Sequence, residues 1–148
     1  MFSKTCEYGI RSLIYITQQS IKGRRVNISK IAKAIDSPTA FTAKILQTLV
    51  KSGILSSSKG PKGGFCVSDA VLKSTTLADV VRAIDGDKIF IGCGMGLSIC
   101  DEIHPCPLHK HFKSVRNELK KLLVNTSINE LALQLDSGGT TLKIEHNL

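Results

Sequence analysis

Three cysteines, Cys93, Cys100 and Cys106, fall close together with six and then five residues between them. Thiolates are ligands for zinc, copper and iron–sulphur clusters, and three of them need a fourth ligand or leave one position open. His104, His109 and His111 stand nearby in sequence, Gly92, Gly94 and Gly96 loosen the segment, and the run Pro105-Cys106-Pro107-Leu108-His109 closes it. Structural zinc sites favour close Cys-x-x-Cys pairs, which this loop lacks, so the looser spacing suits an iron–sulphur centre better. A reversible disulfide between two of the three thiols is the alternative chemistry, and buried thiols with no chemistry are the bland one. Cys6 and Cys66 read as small hydrophobes. Five cysteines are an odd number for a disulfide framework.

A second set of residues points to a polyanion. Residues 1–75 hold twelve Lys/Arg against three Asp/Glu, whereas residues 76–148 hold eight against nine, so the overall charge of +8 sits in the first half. Clustered cations are rewarded by nucleic acid through counterion release and by an anionic membrane surface. Within this half, Thr39, Ala40, Thr42 and Lys44 would start a helix able to present base-reading side chains. Lys59 and Lys62 flank a glycine-rich turn, with Gly60 and Gly63, that allows close approach to a sugar-phosphate chain.

The elements that must position these residues follow from periodicity. Tyr8, Ile10, Leu13, Ile14 and Ile16 mark a first core helix over residues 7–18, with Gly23 beyond its end. Asn27 or Ser29 can cap a short second helix through Ile31, Ala32 and Ile35, and Asp36-Ser37-Pro38 turns the chain into a third helix over residues 38–52. The short connection predicts a helix-turn-helix. Strands over 54–58 and 65–68 around the Lys59–Gly64 turn make a basic hairpin, a wing. Thr76 can cap a fourth helix carrying Leu77, Val80, Val81 and Ile84 that ends at Asp85-Gly86-Asp87, and the cysteine loop comes next. A longer helix over about 107–126 carries Leu108, Phe112, Val115, Leu119, Leu122 and Leu123 as one apolar stripe, which a two-fold partner would bury. Ser127 can cap a last short helix through Ile128, Leu131 and Leu135, before a tail over 136–148.

The expected class is mainly α with a small β-hairpin wing: a winged helix-turn-helix DNA-binding region over residues 1–75, then a cysteine loop and dimerisation helix over 76–148, in one compact domain. Residues 1–20 mix Lys4, Glu7 and Arg11 among the apolar positions, and no apolar run approaches the roughly 20 residues a bilayer crossing needs. A cytoplasmic protein without membrane partners is expected.

Together, Tyr8-Gly9-Ile10-Arg11, Ile31-Ala32, Leu49 through Ile54, the wing Lys59-Gly60-Pro61-Lys62-Gly63-Gly64-Phe65 and the three spaced cysteines resemble the IscR, NsrR, RirA and CymR type of bacterial winged-helix regulators, the Rrf-two family. The resemblance runs nearly the whole chain. It implies a homodimer with crossed long helices on a palindromic operator in double-stranded DNA. In cluster-bearing members it implies a [2Fe-2S] or [4Fe-4S] centre that alters promoter affinity. Cys93, Cys100 and Cys106 match the cluster cysteines, with His109, or Glu7 of the partner subunit, as fourth ligand. The six-residue first interval departs from the five-residue interval of the best-known cluster-bearing members, which bears on cluster type. The function expected is a DNA-binding transcriptional regulator, a repressor, responsive to an iron–sulphur cluster or redox state. Its alternatives are a cluster-free regulator controlled by a thiol switch or a partner protein, and an iron–sulphur or thiol enzyme.

Overall fold

The computed structural model describes residues 1–145. The chain runs α1 (Lys4–Ile21), α2 (Ile28–Ile35), α3 (Thr39–Lys51), β1 (Ser56–Ser58), β2 (Gly64–Cys66), α4 (Asp69–Ser74), α5 (Leu77–Asp85), α6 (Lys88–Ile91), α7 (His109–Asn125) and α8 (Ile128–Asp136). Helix starts follow side-chain chemistry. Ser3, Asn27, Ser68 and Ser127 each accept a hydrogen bond from the backbone N–H three residues on, satisfying a donor that the first helical turn leaves without a partner. At α5, the Asp79 carboxylate accepts from both the backbone N–H and the hydroxyl of Thr76.

Two apolar clusters hold these elements. Leu13, Ile16, Ile31, Leu46 and Leu49 join the three-helix unit to Val26, Leu55 and Val67 beside the wing. Cys6, Leu77, Ala78, Val81, Phe90 and Leu123 form the second, beneath α5, α6 and α7. Ile10 and Ile84 pack against both. Each such buried aliphatic side chain contributes about 1.5–3 kcal/mol relative to exposure, so α1, which runs through both clusters, is the common spine. Helix α8 lies along α1, and Lys22 pairs with Asp136 across that contact at 2.8 Å.

The elements depart from expectation in four places. Ile54 and Leu55 are 8% and 3% exposed and fill the core, leaving only three residues of the first strand to pair. Ser68 starts the short helix α4, and Asp87 leads into the single turn α6, neither of which the sequence announced. Phe90 of that turn is 5% exposed and carries the Arg82 guanidinium over its ring at 4.3 Å. The stripe of α7 divides: Phe112, Leu119 and Leu123 turn inward, while Leu108, Val115 and Leu122 are 40%, 61% and 55% exposed. Of the tail, residues 137–145 are turns and bends without a helix or strand, and 146–148 lie outside the described residues.

Candidate DNA-binding surface and cysteine loop

The wing is an antiparallel pair in which Ser57 faces Phe65 and Ser58 faces Gly64. A third segment joins it, because Val26 donates to the Phe65 carbonyl at 3.0 Å and accepts from the Phe65 N–H at 2.8 Å. Gly64 makes this possible. Its φ is +127°, and a β-carbon there would stand 2.6 Å from the Val26 carbonyl oxygen; only glycine meets both conditions. Lys59, Gly60 and Lys62 are exposed at the tip, and Gly63 is half-buried against the Ser58 carbonyl.

On α3, Thr39, Ala40 and Lys44 are exposed as expected. Thr42 is not: it is fully buried, donating its hydroxyl to the Pro38 carbonyl at 2.8 Å and sharing a 2.7 Å hydrogen bond with Ser37. The expectation that Thr42 contacts bases is therefore corrected, because its position falls on the stripe shared with Ile45, Leu46 and Leu49. Gln47, absent from the residues expected at the DNA, is exposed between Lys44 and Lys51. A sequence signal for it exists, since Ala40, Lys44, Gln47 and Lys51 recur at three- and four-residue intervals on one face. Its amide can donate and accept at once, the chemistry that reads adenine in the major groove. Among the described residues Lys44, Lys51, Lys59 and Lys62 make no ion pair, so their charge faces solvent unneutralised.

The cysteine loop gathers its three thiols and the His109 imidazole in two pairs. The Cys93 and Cys106 sulphurs are 3.7 Å apart, and Cys100 Sγ is 3.3 Å from His109 Nδ1. Arg116 of α7 donates one Nη1 hydrogen bond to the Gly92 carbonyl at 2.8 Å and one to Cys100 Sγ at 3.1 Å. Gly94 packs against the Phe112 ring, where a β-carbon would come within 2.6 Å. The loop is thus keyed to α7 by one close contact and one guanidinium. The Cys93 thiol is held below its ordinary pKa, first by the Met95 N–H, then by the Leu97 N–H and, less, by Cys106 and the Gly96 N–H. By contrast, burial and the nearby Asp85 carboxylate push the Cys6 thiol up to about 12.

His104 turns to Asp101 at 3.1 Å and is exposed, as is His111. Glu7 sits in the first turn of α1, paired with Lys4 at 3.3 Å. Three thiols and an imidazole are the donor types an iron–sulphur centre uses, but among the described residues no three His, Cys, Asp or Glu side chains converge as a metal-holding group. No helix among the described residues is long and apolar enough to cross a membrane.

Comparison with known proteins agrees with this architecture. A protein of Aquifex aeolicus named as an HTH-type transcriptional regulator is 28% identical over 133 residues, covering 88% of this chain and 90% of its own. The structure of CymR, the global cysteine regulator of B. subtilis, superposes with a TM-score of 0.72 at 18% identity, covering 90% of this chain and 97% of that one. T. potens IscR does so with a TM-score of 0.71 at 13% identity, covering 95% and 92%. Both solved structures share the mainly helical fold with its two-stranded wing. Residues 2–134 match the family described as Rrf2, iron-dependent transcriptional regulator, and the chain belongs to that family of transcriptional regulators.

Proposed function

We propose that this regulator is a cytoplasmic homodimer that represses transcription from a palindromic operator, and that its promoter affinity follows the chemical state of Cys93, Cys100 and Cys106. Thr39, Ala40, Lys44 and Gln47 of α3 face the bases and nearby phosphates, and Lys59 and Lys62, on the backbone that Gly60 and Gly63 shape, approach the sugar-phosphate chain. The observation that carries the sensing half is the docking of the cysteine loop on α7 through Gly94, Phe112 and Arg116. Helix α7 with its N-cap residue also exposes Leu108, Val115 and Leu122 at seven-residue intervals, a seam suited to the same helix of a second copy. A change at the thiols therefore acts on the element that spaces the two half-sites.

An iron–sulphur cluster, [2Fe-2S] or [4Fe-4S], suits the donor chemistry of the three cysteines with His109, or Glu7 of the partner subunit, as fourth ligand. When bound, such a cluster supplies an oxidant-sensitive crosslink between the loop and the start of α7. The 3.7 Å approach of Cys93 to Cys106 supports a second reading without metal. The Cys93 sulphur attacks hydrogen peroxide and becomes a sulfenic acid with release of one water, and the Cys106 thiol displaces a second water to close a disulfide.

Anaerobic purification with visible absorption, iron and sulphide assays distinguishes these readings when run beside the variant carrying Cys93→Ala, Cys100→Ala and Cys106→Ala. Operators selected from random duplexes supply the affinity readout. Disappearance of cluster absorption in the variant, with altered affinity, is the expected result. Iron-free protein whose affinity changes on peroxide treatment moves the assignment to the disulfide. Affinity indifferent to both treatments and to all three substitutions refutes thiol sensing, and affinity that changes only when a second protein is added assigns control to a partner.

A further inference from the structure

Arg24 and Arg25 lie in the connection between α1 and α2, exposed and without an ion pair among the described residues. Their neighbour Lys22 is bound to Asp136, so the local acid is already taken. From Tyr8 to Ser68 the only acidic residue is Asp36. Val26, the next residue along the chain, fixes where Arg25 stands, and Arg24 precedes it, exposed, just after the turn that ends α1. It is 3% exposed and pairs with Phe65, so alternation along an extended strand turns Arg25 away from the core. The antiparallel register that sets Val26 opposite Phe65 brings Arg25 level with Cys66, at the root of the wing. Lys62 stands four residues from Cys66 toward the tip, at most about 13 Å away at roughly 3.3 Å per residue.

We propose that Arg24 and Arg25 form a second phosphate-binding station at the root of the wing, holding DNA backbone that flanks the bases read by α3. The proposal rests on the DNA-binding function proposed for α3 and the wing. Cations at both ends of a strip this long suit a run of phosphates better than one base edge. Duplex DNA is favoured over an anionic membrane because β1 of the wing is three exposed serines and offers no apolar side chain to insert between acyl chains.

The test is fluorescence anisotropy of the full chain with a mixed-sequence duplex of about 30 base pairs, titrated between about 50 and 200 mM KCl. In Arg24→Ala/Arg25→Ala, the slope of log affinity against log salt becomes shallower by about 0.9 for each phosphate no longer neutralised, or about 1.8 per protomer. The sequence preference in a selection from random duplexes stays unchanged, and so does the thermal midpoint, both side chains being exposed. Arg24→Lys/Arg25→Lys retains most of the slope. A wild-type slope in the alanine variant overturns the proposal while leaving DNA binding standing. So does a wild-type slope combined with weakened binding to phosphatidylserine vesicles, which assigns the surface to a membrane. Wild-type protein that binds no duplex overturns the proposal together with the DNA-binding function on which it rests.

Discussion

Substituting Gly94 by alanine isolates the contact that docks the cysteine loop on α7. The added β-carbon would lie 2.6, 2.7 and 2.8 Å from Cγ, Cδ2 and Cδ1 of Phe112. These atoms are at the base of the ring, tied to the α7 backbone, so no swing of a flexible end relieves them. Gly94 is not among the glycines with positive φ, and the penalty is therefore steric. Overpacking of this kind costs about 1–3 kcal/mol, offset by about 0.4–1 kcal/mol from the stiffer unfolded chain. A net loss of about 1–2 kcal/mol is a factor of about 5–30 in an opening equilibrium. Because Gly94 is exposed, the strain is relieved by lifting the loop from α7 rather than by opening the core. The expected outcome is a reaction of Cys93 and Cys106 with an aromatic disulfide reagent that is faster by about 5–30-fold, and a thermal midpoint lower by no more than about 2–8 °C. Phe112→Leu in the same background restores slow labelling, and the double-variant cycle shows coupling of at least about 0.5 kcal/mol. Unchanged labelling in Gly94→Ala, or strict additivity with Phe112→Leu, refutes the docking argument.

Thr42→Val removes two buried hydrogen bonds and lowers stability by about 1–2 kcal/mol in denaturant unfolding without changing base preference; Gln47→Ala does the reverse, altering the sequences selected from random duplexes while leaving stability within about 0.5 kcal/mol. Cys6 makes stability depend on alkaline pH: below pH 9 the thiol is protonated in both states, but between 9 and about 12 the unfolded thiol ionises and the folded one does not. Stability then falls as pH rises through that window, by up to about 1.4 kcal/mol per pH unit from this group, and the fall in urea-unfolding free energy is flatter in Cys6→Ala. Val115→Asp/Leu122→Asp leaves the inward residues of α7 untouched and yields a monomer in sedimentation velocity, with thermal stability retained at low protein concentration.

The helix-turn-helix and wing are legible from sequence because their signals are local: the cap at Asn27, the break at Asp36-Ser37-Pro38, and the glycine-rich turn each act within a few residues. Sequence reasoning fails where a side chain's role depends on distant neighbours. Thr42 looks like a polar surface residue until α3 is rotated so that Ile45, Leu46 and Leu49 face the core. Six apolar positions on α7 fit one stripe in a helical projection, yet only the packing of α5 and α6 beneath Leu119 and Leu123 decides that Val115 and Leu122 face outward. The pairing of Cys93 with Cys106 and of Cys100 with His109 has no sequence signal, since a glycine-rich loop admits many closures and the guanidinium of Arg116, sixteen residues beyond Cys100, selects among them. Val26 as a third member of the wing is equally hidden, because one isolated bridge leaves no periodicity to read.

If the thiols govern DNA affinity as proposed, the two halves communicate through α1. Its Cys6 belongs to the cluster beneath α7, its Leu13 and Ile16 belong to the cluster beneath α3, and Ile10 touches both. Between them Gly9 lets α5 and α3 close in: a β-carbon there would stand 2.4 Å from Ile84 Cδ1 and 3.1 Å from Ile45 Cγ2. A displacement of α7 that shifts Leu123 bears on Cys6 and Ile84, and through the Gly9 crossing on Ile45, which is on the face of α3 opposite Lys44 and Gln47. Packed interiors deform little before they rearrange, so under that proposal a small movement at this crossing shifts the exposed face of α3 that carries Lys44 and Gln47 instead of dissipating. The route needs no change in the cysteine loop beyond the release of its hold on Phe112 and Arg116. On the proposed function, the energetic link between thiol chemistry and DNA lies in this apolar packing, and Ile84→Val is expected to weaken the response of operator affinity to peroxide or cluster loss while leaving the thiols and the exposed face of α3 intact.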